Sequence, residues 1–185
     1  KCCYNRSMYL LQAIYKYDGN SLDDIENIKR PTFVEHNVTN TEQLHVIDLL
    51  WSEYSDDIDG VDVNIERDKL QKGFIVKYGK SRLNKFLDEN RINLLITSHQ
   101  YVKGGFTTFN NDRLLIVFSA TNYMDKYGNV GGMITIAKKT ANKRMNIIPK
   151  LINLYENGDQ SVSQNLYNTL VQTKEKFDKT LIKNN

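Results

Sequence analysis

The sequence predicts a mixed α/β (α+β) fold ending in antiparallel strands, and three observations carry that prediction. Apolar residues recur at helical spacing in two short segments, 21–29 and 81–90. Short apolar runs at 93–97, 106–109 and 114–119 have the length and composition of strands. Gly104-Gly105 turns the chain into the second of those runs and Asn110-Asn111-Asp112 into the third, and turns that tight join antiparallel neighbours.

Taken in order, Leu22, Ile25 and Ile28 form one helical face, with Ser21 as a possible N-cap, Asp24 three residues on, and Pro31 closing the segment. Residues 35–43 are polar and read as loop. Residues 46–51 form a nearly continuous apolar run that reads as a buried strand. The acidic stretch 53–68, with Gly60 inside it, reads as a surface loop. Residues 72–78 alternate, Phe74 and Val76 on one side, and Gly79 breaks the strand. Leu83, Phe86 and Leu87 share a helical face that Ser81 is expected to cap. A last β-branched strand covers 131–137. Beyond Pro149, Leu166, Leu170, Phe177 and Leu181 recur at helical intervals among polar residues, which predicts an amphipathic helix. The division expected is therefore a domain over 1–150 and an extension, helical in pattern, over 151–185.

A chain of 185 residues suits one domain with a hydrophobic core, and 40% hydrophobic with 25% charged residues is the composition of a soluble globular protein. No apolar run approaches the roughly 20 residues of a membrane span. The net charge of +3 is too mild for a nucleic-acid partner, and the clusters Lys138-Lys139 and Lys143-Arg144 read as solvated surface. Cys2 and Cys3 are adjacent and do not form an ordinary staple with each other, which favours a reducing, intracellular compartment (cytoplasm or nucleus). The chain opens on Lys-Cys-Cys with no signal-peptide pattern, and a start other than Met leads us to expect a missing upstream segment.

Two of the apolar strands run into polar ends, at His99 and at Asn122-Tyr123. In α/β scaffolds the ends of buried strands line ligand crevices. Taken alone, a histidine there is more often a hydrogen-bonded structural residue than a metal ligand.

The flanking residues add a resemblance. Ile28-Lys29-Arg30-Pro31-Thr32, Asp48-Leu49-Leu50-Trp51-Ser52, Lys85-Phe86-Leu87 with Leu94 through Gln100, Phe118-Ser119-Ala120 with Asn122-Tyr123, and Asn129, Gly131 and Met133 are five short matches in order. Together they resemble the C-terminal half of the catalytic domain of the phosphoprotein phosphatases, closest to type 1, over about residues 22–150. The resemblance implies the four-layer α/β/β/α sandwich of calcineurin-like metallophosphoesterases. It implies hydrolysis of phosphoserine and phosphothreonine monoesters by a water held between two divalent metal ions of the Mn, Fe or Zn type. Phosphoprotein substrates and regulatory subunits follow as implied partners, with no nucleic acid and no membrane.

By the same resemblance His99 would ligate one metal ion and Tyr123 would line the crevice. The family's phosphate-gripping arginine aligns, through Gly73, on Lys72, while Arg67 lies five positions upstream across an apparent insertion. Lys keeps the charge and loses the planar two-pronged grip. Asp48 is open between support of the site and a satisfied strand-end carboxylate, and Trp51 fits a buried packing role. The family's Gly-Asp-x-His-Gly, Gly-Asp-x-Val-Asp-Arg-Gly and Gly-Asn-His-Glu motifs are absent from the sequence, and Tyr4-Asn5-Arg6 stands where a further metal histidine is expected. Thr97 replaces an arginine, Thr121 a proline, and Met124 stands where type-1 enzymes often carry a cysteine. His36 and His45 match no ligand and default to solvated or structural roles. At most one ligand is matched, so the chain alone is expected to be inactive; the alternative is a catalytically dead, phosphatase-like module that binds regulatory proteins or peptides.

Overall fold

The structure, a computed structural model, describes residues 2–4, 8–10, 21–29, 40–69, 73–138 and 145–152. The predicted helix over 166–181, together with Lys72, His36 and the Arg30-Pro31 turn, lies outside the described residues. The chain divides into two compact units, residues 1–99 and 100–185.

In the first unit, strands β1 (Cys2–Tyr4) and β2 (Met8–Leu10) pair antiparallel, with Cys3 opposite Tyr9. Strand β6 (Leu94–Thr97) joins β2 in parallel, Leu95 opposite Tyr9. All four β6 side chains are buried, as expected of a strand covered on both faces. Helix α1 (Leu22–Asn27) begins on the predicted cap. Ser21 Oγ accepts the Asp24 N–H at 3.3 Å and the Asp24 carboxylate accepts the Ser21 N–H at 2.6 Å, a reciprocal capping box.

The run 46–51 is not a strand but the second half of helix α2 (Thr41–Trp51). Asn40 caps it, its Oδ1 accepting the Gln43 N–H at 2.8 Å, so the helix starts inside the stretch read as polar loop. A six-residue apolar run does not distinguish the two periods; with Leu44 included, residues 44, 47, 48 and 51 share one helical side. The acidic stretch also departs from expectation. It contributes β3 (Glu53–Tyr54) and β4 (Val61–Val63), which flank β5 (Val76–Tyr78) in a three-stranded sheet ordered β3-β5-β4. Strand β3 is parallel to β5 and β4 antiparallel to it. Asn64 and Asp68, just beyond β4, are buried.

Helix α3 (Lys80–Glu89) buries Leu83, Phe86 and Leu87 as its pattern predicts, with Arg82 beside them. Its N-cap is Gly79, not Ser81. The Ser81 hydroxyl instead donates to the Asp59 carbonyl at 2.6 Å, tying the helix start to the loop before β4. A Cβ at Gly79 would fall 1.9 Å from the Ile58 carbonyl oxygen, so only glycine lets that loop approach.

Among its described residues the second unit holds two antiparallel pairs. Strands β7 (Phe106–Phe109) and β8 (Leu114–Val117) form a hairpin across Asn110, Asn111 and Asp112, which have φ of 51°, 54° and 65°. Asn and Asp tolerate this left-handed region better than other residues with a Cβ, which explains the turn's composition. Strands β9 (Gly131–Lys138) and β10 (Met145–Ile152) pair over their whole length, Gly131 opposite Ile152. Pro149 does not end the chain's regular structure: it lies within β10, opposite Ile134. Among the described residues β10 has β9 as its strand partner, and an edge strand is where a proline is tolerated.

Candidate functional site

The first unit brings together four segments around one indole ring. Trp51 is the last residue of α2, Glu53 opens β3, Asn64 and Arg67 lie in the turn after β4, and His99 follows β6 by two residues. The His99 imidazole meets the Trp51 ring edge-on, with centroids 6.4 Å apart at 83°. The Arg67 guanidinium lies over the same ring, 5.9 Å from its centroid. Trp51 is 45% exposed, so it is not the buried packing residue the sequence suggested. It ends its helix at the surface and presents its face to a cation and its flank to a histidine.

Glu53 Oε1 pairs with Arg67 Nη2 at 2.5 Å, and its Oε2 accepts the Asn64 amide at 3.0 Å. Asn64 is fully buried; its N–H donates to the Ile75 carbonyl at 2.9 Å, and its own carbonyl accepts the N–H groups of Arg67 at 3.1 Å and Asp68 at 2.7 Å. The Asp68 carboxylate then accepts the N–H groups of Gly73 at 2.5 Å and Phe74 at 3.2 Å. That carboxylate closes the loop leading back to β5 and fixes where the Arg67 turn stands.

The His99 pKa is lowered below its ordinary value. Burial is the first cause and the Arg67 cation the second, opposed by Glu53 and by a hydrogen bond with the Trp51 backbone. The shift favours the neutral imidazole, the form that ligates metals.

The remaining sequence candidates are placed as follows. Asp48 is buried on a helix, not at a strand end. The Ser52 hydroxyl donates to its carboxylate and accepts the Val76 N–H at 3.1 Å, so Asp48 fastens the end of α2 to β5. Thr97 is buried at the end of β6. His45 sits within α2. In the second unit, Tyr123 opens a short 3-10 turn (Tyr123–Asp125) and is 40% exposed. Its ring belongs to a cluster with Tyr101, Phe118 and Tyr127, at centroid distances of 6.5, 5.2 and 6.2 Å. Asn129 organises that loop. Its Oδ1 accepts the Tyr123 N–H at 2.8 Å and its amide donates to the Ala120 carbonyl at 2.6 Å.

Sequence reading missed Glu53 and Asn64, both folded into a stretch taken for solvated loop. A usable signal was present: a Trp-Ser-Glu ending a helical face, followed by Asn64 with Arg67 three residues later.

Arg67 and His99 thus meet at the ring of the half-exposed Trp51 in the first unit. No family model matches the chain. The serine/threonine-protein phosphatase BSL2 of Arabidopsis thaliana is 30% identical over 135 residues, 72% of this chain and 12% of that protein. A solved protein serine/threonine phosphatase from Saccharomyces cerevisiae, described as similar to human phosphatase PP5, superposes with a TM-score of 0.64 at 23% identity, over 84% of this chain and 47% of that one. The chain is thus a homologue of the serine/threonine phosphatases and has their mixed α/β fold. It spans about an eighth of the first relative's length and about half of the second's.

Such phosphatases work with divalent metals, and the residues here test whether such a centre fits. Among the described residues no group of three or more His, Cys, Asp or Glu side chains converges to hold an ion. Of the two charged groups acting on His99, one, Arg67, is a cation and disfavours a metal beside it. The described side chains do not by themselves make a two-metal centre. Among the described residues no helix is long and apolar enough to cross a membrane.

Proposed function

We propose that this chain is the C-terminal part of a phosphoprotein phosphatase catalytic domain and supplies the phosphate-holding side of its site. Arg67 holds the phosphoryl oxygens of a phosphoserine or phosphothreonine, in preference to the aligned Lys72, because its planar fork binds two oxygens at once. By the family resemblance His99 would ligate a divalent metal whose other ligands come from elsewhere, and Tyr123, in the second unit, is assigned a crevice-lining role on the resemblance alone. The observation that carries the reading is that Arg67 and His99, from separate segments, meet at the Trp51 ring. Asp48 supports this site from behind by holding α2, and so Trp51, against β5.

The other metal ligands of the family belong to motifs absent from this sequence. The chain by itself therefore binds phosphate without hydrolysing its esters. Substrate phosphoproteins, regulatory subunits, an intracellular location and a division into 1–150 and 151–185 belong to the same proposal.

The test is to purify the chain, measure bound manganese, iron and zinc, and assay an aryl phosphate with and without manganese. No turnover, together with phosphate binding that Arg67→Ala weakens, is the expected result. Stoichiometric metal and turnover that His99→Ala abolishes would show a complete enzyme instead. Phosphate binding indifferent to Arg67→Ala would favour the second reading, a phosphatase-like module that binds regulatory proteins or peptides.

A further inference from the structure

Glu53 has both carboxylate oxygens engaged, one by Arg67 and one by Asn64. Its side chain is 15% exposed against 34% for that of Arg67. The carboxylate is thus tucked behind the guanidinium, and the guanidinium is the group that reaches solvent. Asn64, which grips the second oxygen, is itself rooted in the sheet through its N–H bond to Ile75. The chain of support runs from the β-sheet to a buried amide, to a carboxylate, to a half-exposed arginine.

A partly exposed ion pair contributes little to stability. What it does supply is direction. An arginine has a long, rotatable stem, and it binds a phosphate in two-pronged fashion only when the plane of its fork is set beforehand. Glu53 takes Nη2 and leaves the remaining N–H donors to a ligand, while the Trp51 ring faces the guanidinium. We infer that Glu53 is a positioning residue, which, held at a second point by Asn64, orients Arg67 for two-pronged binding of a phosphate monoester. This rests on the reading of Arg67 as the phosphate-holding group. A carboxylate that merely competed with the ligand for the guanidinium would produce the opposite effect, since its removal would strengthen anion binding.

Trp51 is the chain's single tryptophan, so its emission reports on this site alone. The experiment titrates the full chain with inorganic phosphate at constant ionic strength, well below each variant's thermal transition, following Trp51 emission. Glu53→Gln is expected to raise the phosphate Kd about tenfold, the loss of one charge-assisted interaction. Glu53→Asp, which keeps the charge on a shorter stem, is expected to recover part of that loss. Asn64→Asp, which sets a second carboxylate against Glu53, reaches the same loss by another route. Glu53→Gln binding phosphate as tightly as the unmodified chain, or more tightly, overturns the inference. The parent reading is separable by Arg67→Ala: an unchanged Kd in that variant removes both, whereas a weakened Arg67→Ala beside an unaffected Glu53→Gln removes the positioning role alone.

Discussion

At the scale of single residues, Arg67 shows what sequence alignment and geometry each supply. Alignment on Gly73 favours Lys72 as the phosphate-holding cation, because an insertion separates Arg67 from the motif. The proposal prefers Arg67 because of where the fold places it. Asn64 and Asp68 fold the turn so that Arg67 arrives over Trp51. Arg67→Lys is expected to raise the phosphate Kd several-fold, since a lysine keeps the charge and loses the second prong, worth about 1 kcal/mol or more. Isothermal calorimetry with inorganic phosphate reads this directly. The strand ends singled out His99 and Tyr123 as positions, and their roles came only from the family resemblance. Glu53 was not, because a single carboxylate in an acidic run carries no sign of which way it faces.

At the scale of elements, legibility followed how strongly local chemistry constrained the chain. The start of helix α1 was readable to the residue because its capping box lies in the sequence, while its end, at Asn27, falls short of the Lys29 expected. Helix α2 was misread because its informative apolar positions are few and one inward position, Asp48, is charged. No local pattern announces a buried carboxylate whose partners are Ser52 and, through it, β5. The hairpin β7–β8 was readable from Asn110-Asn111-Asp112. The close packing behind it was not. A Cβ at Gly132 would fall 2.0 Å from the Gly105 carbonyl oxygen, so β9 lies directly on the turn before β7. Gly132→Ala is expected to cost about 1–3 kcal/mol, the usual penalty for overpacking. Urea unfolding checks this, and a change under about 0.5 kcal/mol, the range of an ordinary surface substitution, would show that the backbone yields there.

At the scale of the whole molecule, the phosphatase relationship was recoverable from five short motifs, whereas the arrangement of the sheets was not. At 30% identity to a relative, short local matches can be read directly, whereas strand pairing depends on contacts far apart in the chain. Stability as a function of pH is also a property of the whole chain, and it follows from buried phenols. Tyr78 is almost wholly inaccessible, and its pKa is pushed far above 10 by burial first and by the nearby Asp48 second. Tyr54, whose ring meets Tyr78 edge-on at 5.9 Å, is shifted in the same direction, first by burial and then by Asp56. A folded-state pKa above the unfolded value means that the unfolded chain loses its proton first. The contribution is complete below about pH 10, the unfolded phenol's pKa, and is lost progressively as pH climbs from there toward the folded value. The melting temperature is therefore expected to fall between about pH 10 and pH 11.5. Tyr78→Phe keeps the ring and removes its share of that slope, and Tyr78→Phe with Tyr54→Phe removes more. Far-UV circular dichroism melts across that range decide the matter: an alkaline slope unchanged in the double variant would mean that these phenols do not control it.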